Sequence, residues 1–270
     1  MKETMDEVNG LGAADRFRNL PAGEQRRYLE AVQQMVRFAR DHAVPIIFAP
    51  PLSVGGKLNG ATGCIIRLNS GPVVMTASHV LRGYEDRLGA GEILNWQVGN
   101  LPPFDPITRV VWRDAERDVV VLRLTEREIA QIGHCIIPAP IQWPPCTPTE
   151  GQHVLLGGYP QQLREVDSSA GKIGSGPYAA MLPVVKVGEG YFMCQLEPKD
   201  LISYNGSPLP DPEVDLGGLS GGPALLVRKL DYPVVGVITD QKNLFNGLHL
   251  LRVATLAGIE PPEGLSTEAM

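Results

Sequence analysis

Apolar residues near the start of the chain recur at helical spacing. Between Gly23 and His42 they return every three or four positions, as on one face of an α-helix. The members of this stripe are Leu29, Val32, Val36 and Ala39, widened by Tyr28, Met35 and Phe38. Pro45 and the pair Pro50-Pro51 end the pattern. We therefore predict a helix over residues 23–42 that packs on the surface of the main domain.

From Ala61 onward the pattern changes to short runs rich in β-branched residues, which favour strands. In the first half the predicted strands lie near Thr62–Leu68, Pro72–Ser78, Ile93–Val98, Ile107–Trp112 and Asp118–Leu124. In the second half they lie near His153–Gly157, Val184–Val187, Tyr191–Leu196, Ala224–Val227, Val234–Thr239 and Leu248–Val253. The stretch Asn69-Ser70-Gly71 marks a tight hairpin. This pattern predicts an all-β fold of two small antiparallel barrels packed together.

A concentration of prolines separates the two sets of strands. These prolines are Pro138, Pro140, Pro144, Pro145 and Pro148. They predict a connection between two halves. The expected organisation is an N-terminal helical arm (1–50), a first β-barrel (51–137), a proline-rich linker (138–151), a second β-barrel (152–256) and a C-terminal tail (257–270).

Composition and charge exclude several classes of protein. Among 270 residues, 43% are hydrophobic and 20% charged, which is typical of a chain that buries a core. The net charge of −6 gives no support for a nucleic-acid partner, and no apolar stretch is long enough to predict a membrane span. The polar, acidic residues 1–7 do not resemble a signal peptide, so we expect a cytoplasmic protein.

The four cysteines, Cys64, Cys135, Cys146 and Cys194, lack the paired spacing of a zinc site. We expect reduced thiols, as is usual in the cytoplasm. Nothing in the sequence calls for a metal or another cofactor.

The first candidate for chemistry is the loop Gly217-Gly218-Leu219-Ser220-Gly221-Gly222-Pro223. A serine among four glycines and a proline does not sit inside a helix, but such a loop can turn sharply and expose the hydroxyl. It can also point successive backbone N–H groups into one small space, as a serine nucleophile with an oxyanion hole requires. By itself the loop is equally compatible with a glycine-rich turn between strands.

A serine nucleophile needs a base, and the base needs an acceptor that orients it. His79 stands where an apolar strand stops, which places an imidazole at a barrel rim; a structural histidine bonded to backbone is the alternative. Asp118 opens the strongly apolar run Val119–Leu122, where a partly desolvated carboxylate needs a donor. Its alternative is a turn aspartate, and Asp114 is a rival for the same role.

The stretches Thr76–His79, Asp118–Leu122 and Gly218–Pro223 occur in the order His, Asp, Ser. This order and these local sequences resemble the trypsin-like (chymotrypsin-fold) serine peptidases. Within that family the resemblance is to intracellular members of bacterial type. Further similarity lies in Gly60–Ile66, Val154–Pro160, Val235–Thr239 and Gly247–Val253, so that the resemblance covers about residues 53–256. It implies two packed six-stranded antiparallel β-barrels, to which the N-terminal helix is added.

By this resemblance, Ser220 is the nucleophile, His79 the general base and Asp118 the residue that orients His79. The backbone N–H groups of Gly218 and Ser220 would form the oxyanion hole. The strand at Ile238-Thr239-Asp240 would pair with an extended protein or peptide substrate.

The resemblance also implies a primary specificity pocket. Its lining would be Val214, Asp215, Leu216, Thr239, Asp240 and Gln241. Val214 would favour an apolar or small side chain, whereas an inward-pointing Asp215 would attract Lys or Arg. The sequence leaves this choice open.

Two departures from the family pattern are informative. Leu219 stands where activatable animal relatives have an aspartate that pairs with a newly freed N-terminus, so we expect no activation by N-terminal cleavage. Val80 follows the histidine where secreted relatives commonly have cysteine, in agreement with a reducing compartment.

Two other functions fit parts of the same pattern. Gly218-x-Ser220-x-Gly222 fits the nucleophile elbow of α/β-hydrolases, but that fold needs a helix directly after the elbow and its acid and histidine further on. The stronger alternative is a latent or non-catalytic trypsin-fold module that binds proteins. In that case the helix over 23–42 is a candidate contact for a regulatory partner.

Overall fold

The structure is a computed structural model that describes residues 17–51, 56–68, 70–132, 145–167, 172–197, 216–228, 232–244 and 248–257. Its α-helices are α1 (Ala22–His42), α2 (Ser78–Gly89) and α3 (Glu126–Ile132). The strands of the first half are β1 (Ala43–Ala49), β2 (Asn59–Leu68), β3 (Gly71–Ala77), β4 (Asn95–Val98), β5 (Val110–Asp114) and β6 (Val119–Arg123). Those of the second half are β7 (His153–Gly158), β8 (Arg164–Asp167), β9 (Lys172–Ser175), β10 (Tyr178–Gly188), β11 (Tyr191–Leu196), β12 (Pro223–Leu226), β13 (Val234–Asn243) and β14 (His249–Thr255).

The strands form two six-stranded antiparallel sheets. The first has the order β4-β1-β2-β3-β6-β5, and the second closes into a barrel in the order β10-β11-β14-β13-β12-β7. Strands β8 and β9 make a separate hairpin. The prediction of an all-β chain with two six-stranded units and an N-terminal helix is confirmed, and the second unit is the one that closes fully.

The two sheets pack through a shared apolar layer. Strand β6 is buried along most of its length because alternate residues face different cores. Val120 and Leu122 face the interior of the first sheet, whereas Val119 and Val121 join a cluster with barrel residues such as Leu155. This seam is where the ends of β3, β6 and the loop before β12 come together.

Helix α1 lies on the surface as predicted, against β7 and β10 of the barrel and against β1. Phe38 packs against the apolar layer between the sheets, with its ring centroid 4.9 Å from that of Tyr232. His42 is buried at the end of the helix, its Nδ1 2.9 Å from the Phe38 carbonyl oxygen. Burial lowers the pKa of His42.

Strand β1 was not predicted and extends the first sheet into the segment assigned to the arm. It pairs with β2 and β4, although it contains Pro45. Pro45 faces Thr62, whose N–H bonds to Ser220 instead of to β1, and on the other edge the Pro45 carbonyl oxygen accepts from the Gly99 N–H at 2.8 Å. The missing N–H of proline therefore removes no bond to β2, and the strand tolerates a residue that we interpreted as a helix stop.

Other predicted elements shift at their ends. The strand predicted near Ile107 begins instead with a 3₁₀ turn over Ile107–Arg109, and the strand near Ile93 is limited to β4. The hairpin of β8 and β9 was not predicted, because its short strands lack a β-branched run. Much of the predicted linker lies outside the described residues; residues 145–149 have no regular structure. Cys64, Cys146 and Cys194 form no disulfide, and Cys135 is not described.

Candidate active site

The loop before β12 contains two glycines with positive φ angles. Gly218 and Gly221 have φ angles of 100° and 88°, in the region that glycine alone adopts easily. A Cβ at Gly218 would lie 2.7 Å from the Tyr159 carbonyl oxygen, and one at Gly221 would lie 2.0 Å from the Thr62 carbonyl oxygen. The glycines flanking Ser220 are thus needed for close approach of three backbone segments.

Backbone hydrogen bonds hold this loop between the two sheets. On one side the Gly221 N–H donates to the Ile238 carbonyl at 2.6 Å, and the Ile238 N–H donates to the Gly222 carbonyl at 2.8 Å. On the other side the Thr62 N–H donates to the Ser220 carbonyl at 2.9 Å. Because β13 and β2 form hydrogen bonds with opposite sides of the loop, Ser220 is held at the seam between the sheets.

Thr62 is a site residue that the sequence analysis did not single out. Its buried hydroxyl donates to the Gly218 carbonyl at 2.7 Å and accepts from the Tyr159 N–H at 2.9 Å. The Thr76 hydroxyl in turn donates to the Thr62 carbonyl at 2.8 Å. The available signal was a polar residue in the apolar strand Ala61–Ile66, but its partners lie far away in sequence.

His79 and Asp118 form a two-point contact. The Asp118 carboxylate accepts from the His79 backbone N–H at 2.7 Å, and its other oxygen lies 2.6 Å from His79 Nδ1. His79 is in the first turn of α2, where backbone N–H groups lack helical partners, so the carboxylate also caps this helix. The contact fixes both the position and the tautomer of the imidazole, with Nδ1–H as the donor.

Asp118 adopts a left-handed backbone conformation, with φ of 61°. Aspartate is one of the few residues that tolerate this region. In this conformation its carbonyl oxygen accepts from the Ser78 N–H at 2.9 Å while its carboxylate reaches His79. The rival Asp114 instead accepts from the N–H groups of Glu116 and Arg117 in its own turn.

The two members of the pair differ in exposure, and a cation lies near the carboxylate. The Asp118 side chain is 17% exposed, whereas that of His79 is 42% exposed. Arg82, one turn along α2, lies 3.8 Å from the Asp118 carboxylate. The imidazole is therefore the more accessible of the two groups.

His79, Asp118 and Ser220 line one cleft of about 380 Å³. Of the predicted substrate-binding residues, Leu216, Thr239, Asp240 and Gln241 line it too, whereas Val214 and Asp215 lie outside the described residues. The structure adds Arg252, which the sequence analysis missed. Alternation along β14 was the available signal, because it puts Arg252 on the face opposite the buried Leu251 and Val253.

The N–H groups of the loop divide into used and unused donors. Those of Leu219, Gly221 and Gly222 donate to backbone carbonyls. Within the described ranges, the N–H groups of Gly217, Gly218 and Ser220 donate to none. Gly218 and Ser220 are the donors that the resemblance assigned to an oxyanion hole.

The α/β-hydrolase interpretation is wrong. Strand β12, and not a helix, follows the loop, so Ser220 does not stand on a strand-to-helix elbow. His249, the histidine after Ser220, is buried, with Nδ1 2.9 Å from Gln241 Nε2. It supports the cleft residue Gln241 instead of facing Ser220.

No protein-family model matches the chain, and no curated protein sequence is significantly similar to it. The structure is similar to several solved structures. One is a thermostable serine protease, AL20, from an extremophilic microorganism. Its sequence is 14% identical, the match covers 81% of this chain and 93% of that chain, and the TM-score is 0.47. Another is the active form of the Rv3671c protease from M. tuberculosis, which is 18% identical. The match covers 86% of this chain and 87% of that chain, with a TM-score of 0.43. A third is the protease Anisep from Arthrobacter nicotinovorans, which is 13% identical. The match covers 80% of this chain and 90% of that chain, with a TM-score of 0.43.

Two features are absent from the described part of the chain. None of its helices combines the length and the apolar character that crossing a bilayer requires. Its His, Cys, Asp and Glu side chains form no group of three or more that could hold a metal ion.

Proposed function

We propose that the chain is a serine endopeptidase that uses Ser220, His79 and Asp118 and forms an acyl-enzyme intermediate. The observation that carries this proposal is the cleft in which an Asp-bound imidazole and the loop serine face the same space. The two unused N–H groups beside Ser220 support it, since they are available to a developing oxyanion. The proposed setting is the cytoplasm, with proteins or peptides as substrates.

In the proposed reaction, the Ser220 hydroxyl oxygen attacks the scissile carbonyl carbon while His79 Nε2 accepts the hydroxyl proton. The carbonyl oxygen becomes an oxyanion that accepts from the N–H groups of Gly218 and Ser220. The C–N bond then breaks, His79 gives its proton to the leaving amine, and water releases the acyl group by the same steps. Asp118 stabilises the imidazolium throughout by accepting from Nδ1–H.

An open edge of β13 supports extended substrate binding. Strand β12 pairs with β13 only as far as Val237, whereas β14 pairs with the other edge up to Asn243. Beyond Ile238, the edge of β13 on the β12 side borders the cleft at Thr239, Asp240 and Gln241. A peptide strand added there would present its carbonyl carbon to Ser220. Leu216 and Arg252 would then face its side chains.

Reaction with a fluorophosphonate probe tests this proposal. We expect intact-mass and peptide analysis to find one modification, at Ser220, and none in the Ser220→Ala or His79→Ala variants. Ser70→Ala, in an exposed turn, is the matched control and should react like the wild type. Modification spread over several serines, or none at Ser220, would contradict the peptidase proposal.

The latent or non-catalytic module remains the second candidate, because one observation favours it. Among the described residues, no hydrogen bond joins the Ser220 hydroxyl to the His79 imidazole. Such bonds are often long in free enzymes, so the probe reaction decides between the two. In the second case Ser220 would stay unlabelled until a partner binds.

We place the regulatory contact of such a partner on residues 23–42. Deleting this segment would also remove Phe38 and uncover the apolar layer beneath it. Charge reversal at the exposed Arg27 and Arg37 tests the surface without that damage. Unchanged labelling and unchanged partner capture in the double variant would argue against a regulatory arm.

A further inference from the structure

Arg164, at the start of β8, has its charged group turned away from solvent. All three guanidinium nitrogens are buried and, within the part of the chain that is described, have no hydrogen-bond partner. Arginines usually bury their apolar stem and expose the charged head, but here the residue is partly exposed while the head is not. Burial lowers the pKa of the Arg164 guanidinium, which nevertheless stays protonated at neutral pH. A buried cation of this kind is costly without a counter-charge.

The surroundings of Arg164 supply a second unused donor. Ser175 faces Arg164 across the β8–β9 hairpin, so both side chains lie on the same face. The Ser175 hydroxyl is also buried without a partner, and Ser175 lines a cavity of about 620 Å³. On the other side the guanidinium rests on the backbone of β2, since a Cβ at Gly60 would lie 1.9 Å from it. Two donors without acceptors therefore share one face, which is the environment an oxyanion needs.

The position of this pair relates it to the cleft. Gly60 precedes Thr62 by two residues on β2, or about 6.6 Å, and the Thr62 N–H bonds to Ser220. The loop of Ser220 is held by β2 on one side and by β13 on the other. Arg164 does not itself line the cleft, but it rests on β2, on the side of the loop opposite β13, which would be the leaving-group side if β13 binds the acyl part of a substrate. A peptide would reach it about three residues after the scissile bond.

We propose that Arg164 and Ser175 form a binding site for a peptide carboxylate on the leaving-group side of the cleft. A guanidinium binds a carboxylate through two parallel N–H bonds, and a single cation matches its single charge. The carboxylate could come from an acidic side chain or from the C-terminus of a short peptide. The identity of the ligand as substrate rests on the proposed peptidase function, whereas the carboxylate site itself is defined by Arg164.

Binding to the Ser220→Ala protein tests the site without turnover. Fluorescein-labelled peptides would carry Glu or Gln at the second, third or fourth position after the scissile bond. A second pair would end at the third position with a free or an amidated C-terminus. We expect Glu, or the free C-terminus, to bind at least about 10-fold more tightly in anisotropy titrations, and Arg164→Met to remove the preference. The first pair reports an acidic side chain and the second a terminal carboxylate.

Stability measurements separate a binding arginine from a structural one. Without peptide, Arg164→Met should be at least as stable as the parent, because it removes an unpaired buried charge. Arg164→Lys keeps the charge and should retain part of the preference. Equal affinity for all matched peptides, or a clear loss of stability in Arg164→Met, would overturn the proposal.

The probe reaction keeps the two proposals apart. Labelling of Ser220 together with equal peptide affinities refutes the carboxylate site alone. An Arg164-dependent preference in a chain whose Ser220 is never labelled supports the site and refutes the peptidase function.

Discussion

The hydroxyl of Thr62 connects the first sheet to the loop that carries Ser220, and its removal is the most informative single change. Thr62→Val keeps the shape of the side chain but removes the bond to the Gly218 carbonyl at 2.7 Å and the bond from the Tyr159 N–H at 2.9 Å. Two backbone groups then lose their partner. One buried group left unpaired costs about 1–3 kcal/mol. Since Gly218 is only half-buried, we expect a total of about 2–4 kcal/mol.

Part of this cost falls on the geometry of the proposed oxyanion donors. Gly218 carries one of them, and its carbonyl would be released from Thr62. If about 2 kcal/mol of transition-state stabilisation is lost, kcat/KM falls about 30-fold. The remainder should appear as a lower free energy of unfolding.

The assay combines kcat/KM for a peptide anilide, the second-order rate of fluorophosphonate labelling and urea unfolding. Thr62→Ser retains the hydroxyl and is the matched control; both rates should stay within about threefold of wild type. The reasoning is refuted if Thr62→Val reacts at the wild-type rate with unchanged stability. It is equally refuted if Thr62→Ser is as slow as Thr62→Val, because the methyl group and not the hydroxyl would then matter.

Three further predictions concern individual side chains. Asp118→Asn should lower kcat by about 10³–10⁴-fold, as expected when the histidine loses its orienting acceptor; a decrease below tenfold in steady-state assays would argue against that role. Burial lowers the pKa of His42 from its ordinary value of 6.5, so protonation of this imidazole favours the unfolded state. The stability that the neutral imidazole permits is therefore fully present above pH 6.5 and is lost as the pH falls below that value. His42→Gln should therefore flatten the decline in urea midpoint between pH 7.5 and 5, and an identical slope in both proteins would contradict this. Burial raises the pKa of the Cys194 thiol to about 12, whereas Cys146 is exposed. A thiol reagent should therefore modify Cys146 before Cys194 in the folded protein, and equal rates at these two thiols by mass spectrometry would contradict the burial of Cys194.

The predictions that succeeded depend on local pattern. The helix over 23–42 and most strands follow from periodicity, which acts over a few neighbouring residues. His79 and Asp118, which remain proposed site residues, were noticed for a similar local reason, because each borders an apolar run: His79 follows β3 and Asp118 precedes β6. The glycines around Ser220 were informative because a sharp turn requires them whatever lies nearby.

The features that were missed depend on segments distant in sequence. Thr62 bonds to Gly218, 156 residues away, and no local pattern marks that choice. Strand β1 exists because β2 and β4 pair with it, in spite of Pro45. The unpartnered head of Arg164 arises only where the β8–β9 hairpin meets Gly60.

The sequence by itself determined which residues could do chemistry and which segments would be strands, because side-chain alternation and turn chemistry are properties of neighbouring residues. Only the tertiary structure decided that Asp118 and not Asp114 reaches His79, since that depends on the left-handed turn before β6. It also decided which loop N–H groups stay unused and that Arg252 lines the cleft. These outcomes follow from how the two sheets pack, because packing selects partners among groups that the chain order leaves far apart.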